Sequence, residues 1–162
     1  MEVKAFGRAF ERACRGMSAY TEELCRLDSY IGDGDHGVTI ERGFNAAADS
    51  LNDVKDAREL FFAVAESTSD AMGGAIGPLY RMFWRGVGKG VGEEITPETI
   101  GTAWQKGCEA LMRVGKAERG NKTIVDAMLP SVEAAKPAGT LAQTLSAMAD
   151  AAEAGANATE AM

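Results

Sequence analysis

Asp28, Asp33 and Asp35 are the residues best suited to chemistry. They lie in Leu27-Asp28-Ser29-Tyr30-Ile31-Gly32-Asp33-Gly34-Asp35-His36-Gly37, three carboxylates within eight residues, with glycines among them. The glycines permit the positive φ values of a tight loop. Acids this close repel one another unless a cation lies between them. The donors are all oxygens and no cysteine accompanies them, which points to a hard cation, Mg²⁺, Mn²⁺ or Ca²⁺, rather than zinc. An EF-hand does not fit. With Asp33 at the first loop position, Val38 falls where the invariant glycine belongs and Phe44 where the bidentate glutamate belongs. A solvated acidic turn capping a helix is the other reading, because Asp is common at caps and turns.

A second stretch, Gly73-Gly74-Ala75-Ile76-Gly77-Pro78, leads into a helix start. Free N–H groups and the positive dipole end there suit phosphate oxygens. It is not a Walker A motif, since no Lys-Ser/Thr pair follows at the right spacing. By itself it also reads as an ordinary helix C-cap. His36, the single histidine, abuts the acidic loop and suits either a phosphate donor or a helix cap. Lys122-Thr123 would contact an anion or form the first exposed turn of a helix. The helical spacing of Tyr80, Phe83 and Trp84 favours core packing over a base-stacking box.

The elements that must position these residues are helices. At 162 residues the chain is expected to form a single domain over 1–162 with one core. Its net charge of −7 argues against a nucleic-acid partner. No apolar run approaches a membrane span, and Met1-Glu2-Val3-Lys4 opens no signal peptide. Cys14, Cys25 and Cys108 lack metal-ligand spacing, and the first two read as small core residues on one helical face. Reduced thiols without an export signal predict a cytoplasmic protein. Abundant alanine and few β-branched runs predict an all-α fold.

Apolar periodicity predicts seven helices: four over about 3–26, 38–51, 57–72 and 79–87, a fifth that starts at Pro97 and carries Ile100, Ala103, Trp104, Cys108 and Leu111, and two over about 122–135 and 140–154. Gly88-Lys89-Gly90 should break the fourth, and Gly155 should end the last. Thr96 as N-cap with Pro97 at N1 is a strong start signal. Pro130 is expected to kink the sixth helix. Asn52-Asp53-Val54-Lys55 and Lys136-Pro137-Ala138-Gly139 read as turns. Short connections make sequential helices antiparallel neighbours in an up-and-down bundle. The acidic loop, the double-glycine loop and the loop Gly115-Lys116-Ala117-Glu118-Arg119-Gly120-Asn121 then emerge at one end, and ordinary turns at the other.

With these residues in view, the chain resembles the nucleotide-binding L subunit, or L domain, of the dihydroxyacetone kinases. The matching stretches are Asp28 to Gly43, Gly73 to Tyr80 and Gly115 to Asp126. The resemblance implies an antiparallel helix barrel, eight helices in the family, that carries ADP or ATP through two Mg²⁺ ions. It implies that Asp28, Asp33 and Asp35 hold the ions. It also implies that His36, Gly37, Val38 and Thr39 meet the phosphates, with Gly74, Ala75 and Ile76 nearby and Gly115 and Ile124 towards the nucleoside. The implied activity is phosphoryl transfer to a small ketose held by a separate subunit, with ATP or a phosphocarrier protein as donor. No catalytic side chain is assigned in this chain, and inactivity without the partner is expected.

Ile76 stands where the family pattern has serine, and Asn121 where it has aspartate. Relatives also continue beyond the position of Met162 into an arginine-bearing loop, a lid and a final helix. A seven-helix barrel would leave an apolar gap between its first and last helices, closed by a homodimer or marking a fragment. The alternative function is a non-catalytic nucleotide-binding or regulatory protein on the same fold.

Overall fold

The computed structural model describes residues 2–52, 54–135 and 139–162, and among them there is no β-strand. Eight α-helices follow in order: α1 (Val3–Gly16), α2 (Thr21–Asp28), α3 (His36–Asp49), α4 (Ala57–Met72), α5 (Ile76–Gly90), α6 (Pro97–Gly115), α7 (Val125–Ala134) and α8 (Leu141–Ala158). A 3₁₀ segment, Met17–Tyr20, joins α1 to α2, so these two are the single first helix of the sequence reading, broken once. Counted that way, the all-α, seven-helix expectation holds. The expected turns at 52–55 and 136–139 include Asp53, Lys136, Pro137 and Ala138, which lie outside the described residues.

The break is local chemistry. Gly16 and Ser18 are weak helix formers, and Ser18 Oγ bonds back to Arg15 O at 3.1 Å. Tyr20 then leaves helical geometry at φ −105, ψ 0 before Thr21 restarts the helix. The bend lays α2 along the start of α3, where Thr21 Oγ1 donates to Glu41 Oε2 at 2.9 Å. It also separates the cysteines, leaving Cys14 buried and Cys25 only half-buried.

Two glycine-based expectations and one helix start are corrected. α5 runs through Gly88-Lys89-Gly90 because those glycines face neighbouring helices. A Cβ on Gly88 would stand 2.8 Å from the Phe62 ring of α4, and one on Gly90 would stand 2.5 Å from Ala103 Cα of α6. Close packing on both sides offsets the roughly 1 kcal/mol that glycine costs inside a helix. α8 likewise continues past Gly155, where a Cβ would meet Asp126 O at 2.3 Å. α7 starts at Val125 rather than near residue 122, because Lys122 takes the left-handed φ of 56. Thr96 does cap α6, in a reciprocal box with Thr99. Pro130 lies within α7 without ending it.

Sequential helices pack on one another from α1/α2 through α8. Their centre is aromatic. Phe61 stacks on Trp84 at 5.9 Å between centroids, and Phe10, Phe83 and Trp104 meet Trp84 edge-on. Phe83 and Trp84 are buried and Tyr80 packs edge-on against Phe44, as the core-packing reading expected. α8 packs on α7 and makes no extensive contact with α1 or α2 among the described residues.

Candidate functional site

The antiparallel order is fixed by contacts along the helices. Gly37 of α3 abuts Thr21 and Cys25 of α2, Gly43 abuts Met72 at the end of α4, Gly77 of α5 abuts Ser69, and Gly115 of α6 abuts Leu79. The loops 29–35, 73–75 and 116–124 therefore leave the helices at the same end.

The first of these loops begins where α2 stops at Asp28. The backbone N–H groups of Ile31 and Gly32 fold back onto Asp28 O, at 3.1 and 2.6 Å. Gly34, at φ 78, turns its own N–H onto Asp28 Oδ2 at 2.9 Å. The result brings one oxygen each of Asp28, Asp33 and Asp35 within 4.8 Å of one another. Asp28 is half-buried, while Asp33 and Asp35 are exposed. An oxygen-only set of this size suits a hard divalent cation, which would also relieve the repulsion among the three charges.

Asp35 precedes α3 without a side-chain cap, and its carbonyl accepts from Thr39 N at 3.0 Å. The N–H groups of His36, Gly37 and Val38 thus form the open first turn of a 14-residue helix. His36 is half-buried, Val38 exposed and Thr39 buried. Gly37 is buried against α2, where a Cβ would stand 2.0 Å from Thr21 O. Its lack of a side chain therefore serves helix packing.

In the second loop Gly73 and Gly74 take φ 66 and 53. Gly77 N closes onto Gly73 O at 3.1 Å, which leaves Gly74, Ala75 and Ile76 as the open N–H turn of α5. The helix starts three residues earlier than the sequence reading, with Pro78 in its first turn. Ile76 is half-buried.

At the third loop, Gly115 at the end of α6 and Ile124 are both exposed. Sequence reasoning assigned no role to Asp126, yet its carboxylate accepts from Gly120 N and from Thr123 N, the latter at 2.9 Å. Those N–H groups hold the Asp126 carboxyl below the usual carboxylate range, against the opposing effect of burial. Val125 N donates to Thr123 Oγ1 at 3.2 Å. Thr123-Ile124-Val125-Asp126 is thus a Thr-x-x-Asp capping pattern, a signal legible in the sequence. Asn121 Oδ1 accepts from Glu118 N at 2.8 Å, closing the loop from within.

A family model described as the DAK2 domain matches residues 30–162. This chain belongs to that family. The chain is 33% identical over 168 aligned residues to the ADP-binding subunit DhaL of PEP-dependent dihydroxyacetone kinase 2 from Listeria innocua, spanning 98% of this chain and 78% of that protein. It is 35% identical over 118 residues to an L-erythrulose kinase of Pectobacterium atrosepticum, spanning 69% of this chain but only 20% of that enzyme. Among solved structures, the dihydroxyacetone kinase of C. freundii in complex with AMP-PNP and Mg²⁺ superposes at a TM-score of 0.78 with 27% identity. That match covers 98% of this chain and 29% of the C. freundii chain. The chain is thus an L domain of the dihydroxyacetone kinase family, and it spans only a fraction of the larger kinases.

Proposed function

We propose that this domain is the nucleotide-holding part of a small-ketose kinase. It binds ADP or ATP with Mg²⁺ at the loop end and presents the phosphates to a ketose held by a partner subunit. The observation that carries this reading is the convergence of the Asp28, Asp33 and Asp35 oxygens within 4.8 Å, at the end where two helix starts lie open. The relatives add support, through a subunit named as ADP-binding and a kinase structure holding AMP-PNP and Mg²⁺.

In this reading Asp28, Asp33 and Asp35 hold the Mg²⁺, two ions by resemblance to the family. Bound there, Mg²⁺ supplies neutralisation of the polyphosphate charge. The N–H groups of His36, Gly37 and Val38, and those of Gly74, Ala75 and Ile76, receive phosphate oxygens at two helix N-termini. The buried Thr39 stands one turn further along α3. Gly115 and Ile124 flank the nucleoside, on a loop that Asp126 keeps in shape. The chain positions and neutralises rather than supplying an acid or base.

A partner is part of the reading. The acidic loop is bordered by exposed apolar side chains, Leu27, Tyr30, Val38 and above all Ile31, which is 98% exposed. Apolar side chains grouped on a surface in this way suit a protein interface. The phosphoryl donor is ATP or a phosphocarrier protein, and several relatives are named as PEP- or PTS-dependent.

The test is to incubate the purified chain with Mg–ATP and dihydroxyacetone, alone and with a ketose-binding subunit, and to follow the sugar phosphate. Turnover is expected only with the partner. Robust turnover by the chain alone would contradict the two-component reading.

A further inference from the structure

We propose that Arg42, with Gly43 beside it, is a positioning latch for the glycine loop. It fixes the end of α4 onto α3, and so sets where the N–H groups of Gly74, Ala75 and Ile76 stand relative to the acidic loop. This proposal rests on the nucleotide reading above and deepens it.

Arg42 Nε donates to Ala71 O at 2.6 Å, and a terminal guanidinium nitrogen donates to Met72 O at 3.2 Å. These are the last two carbonyls of α4. A helix leaves its final carbonyls without in-helix donors, and a following glycine commonly satisfies them by folding back in the αL conformation. Gly73 does not fold back, because it leaves α4 at φ 66, ψ −170. The missing donors come instead from a side chain on the neighbouring helix. A guanidinium suits the task twice over, since its fork holds two acceptors at fixed spacing and its charge complements the helix C-terminus.

Packing places the latch at the same point. A Cβ on Gly43 would stand 2.3 Å from Met72 Cε and 2.4 Å from Met72 Cγ, so α3 and α4 touch where α4 ends. No neighbouring group crowds the loop from the side-chain side of its glycines. Around a Cβ built on Gly73 or Gly74 there is nothing within 4 Å. The loop is held by Arg42 on one side, and on the other by the Gly77 N–H on Gly73 O and the close approach of Gly77 to Ser69. α3 also carries His36 at its start, so a single helix links the acidic loop to the latch.

The test uses the full chain with Arg42→Met and Arg42→Lys. Three quantities are read: amide hydrogen exchange of residues 73–77 in the ligand-free protein, affinity for Mg–ADP, and affinity for Mn²⁺ alone. Arg42→Met should speed exchange at 73–77 about tenfold while leaving the middle of α4 unchanged. It should weaken Mg–ADP by about tenfold, the scale of one charged hydrogen bond, and leave Mn²⁺ affinity within about twofold. Arg42→Lys should recover part of the nucleotide affinity. Unchanged exchange would overturn the latch. Mn²⁺ and Mg–ADP affinities falling together, with exchange rising through α4, would overturn it in favour of a general role in folding. Wild-type binding that Arg42→Met leaves intact would overturn the positioning role alone. A wild-type chain that ignores Mg–ADP would overturn the nucleotide reading and the positioning role together.

Discussion

The backbone N–H of Gly34 donates to Asp28 Oδ2 at 2.9 Å, tying the far end of the acidic loop to its first carboxylate. The other oxygen of that carboxylate faces Gly32, where a Cβ would stand 2.4 Å from Oδ1. One oxygen shapes the loop, and the carboxylate holds its present position only because residue 32 has no side chain. Gly32 is not among the glycines with positive φ, so alanine there brings no backbone strain. Gly32→Ala should therefore displace the Asp28 carboxylate and weaken metal-dependent ADP binding by about tenfold to a hundredfold, the usual effect of disturbing a metal ligand's support. The melting temperature should hardly move. Calorimetry and a thermal melt check both halves, and unchanged affinity would contradict the role given to Asp28.

Gly37 carries a different expectation. A Cβ there would meet Thr21 O at 2.0 Å and Cys25 Sγ at 2.8 Å, so Gly37→Ala should push α2 off α3. Overpacking of this kind costs about 1–3 kcal/mol. Denaturant unfolding should show that loss without any ligand present. Were Gly37 there only to let phosphate approach, the ligand-free stability would be untouched.

Alkaline pH should destabilise the domain. Burial pushes the Cys14 and Cys108 thiols up from the ordinary 9.0 to about 12, and the Tyr80 hydroxyl up from 10.0 to about 12. Each group is neutral when protonated, and the fold favours that form. Their contribution is complete below the unfolded values and is lost as pH rises towards about 12, where the folded groups also ionise. Melting temperature should fall from pH 9 upward, and Cys14→Ala combined with Cys108→Ala should soften the fall. Parallel profiles for the two proteins would contradict the assignment.

Much of this was legible in the sequence, for reasons particular residues make plain. Ala57 to Met72 reads as a helix with the boundaries it has, because its apolar period is unbroken and Gly73 ends it. The acidic loop was legible because three carboxylates so near in sequence meet in almost any tight turn. What failed was glycine. Gly88, Gly90 and Gly155 read as breakers, but they are points where helices touch, and their meaning depends on a neighbour distant in sequence. Gly16 gave the opposite error, since an amphipathic period continues across the 3₁₀ segment without a visible change of phase. Arg42 was beyond reach, because its partners are backbone carbonyls some thirty residues away. Asp126 was within reach through the Thr-x-x-Asp pattern.

The central claim is that Asp28, Asp33 and Asp35 hold a divalent cation that makes this loop end a polyphosphate site. The direct measurement is calorimetry of ADP with the purified chain, once with Mg²⁺ and once with chelator, repeated on Asp33→Ala combined with Asp35→Ala. Three adjacent carboxylates repel a bare polyphosphate, so wild-type binding should require Mg²⁺ and fall by at least about a hundredfold without it, a difference of about 2.7 kcal/mol. The double variant should show no Mg²⁺ dependence. Equal ADP affinity with and without Mg²⁺ in the wild-type chain would contradict the account.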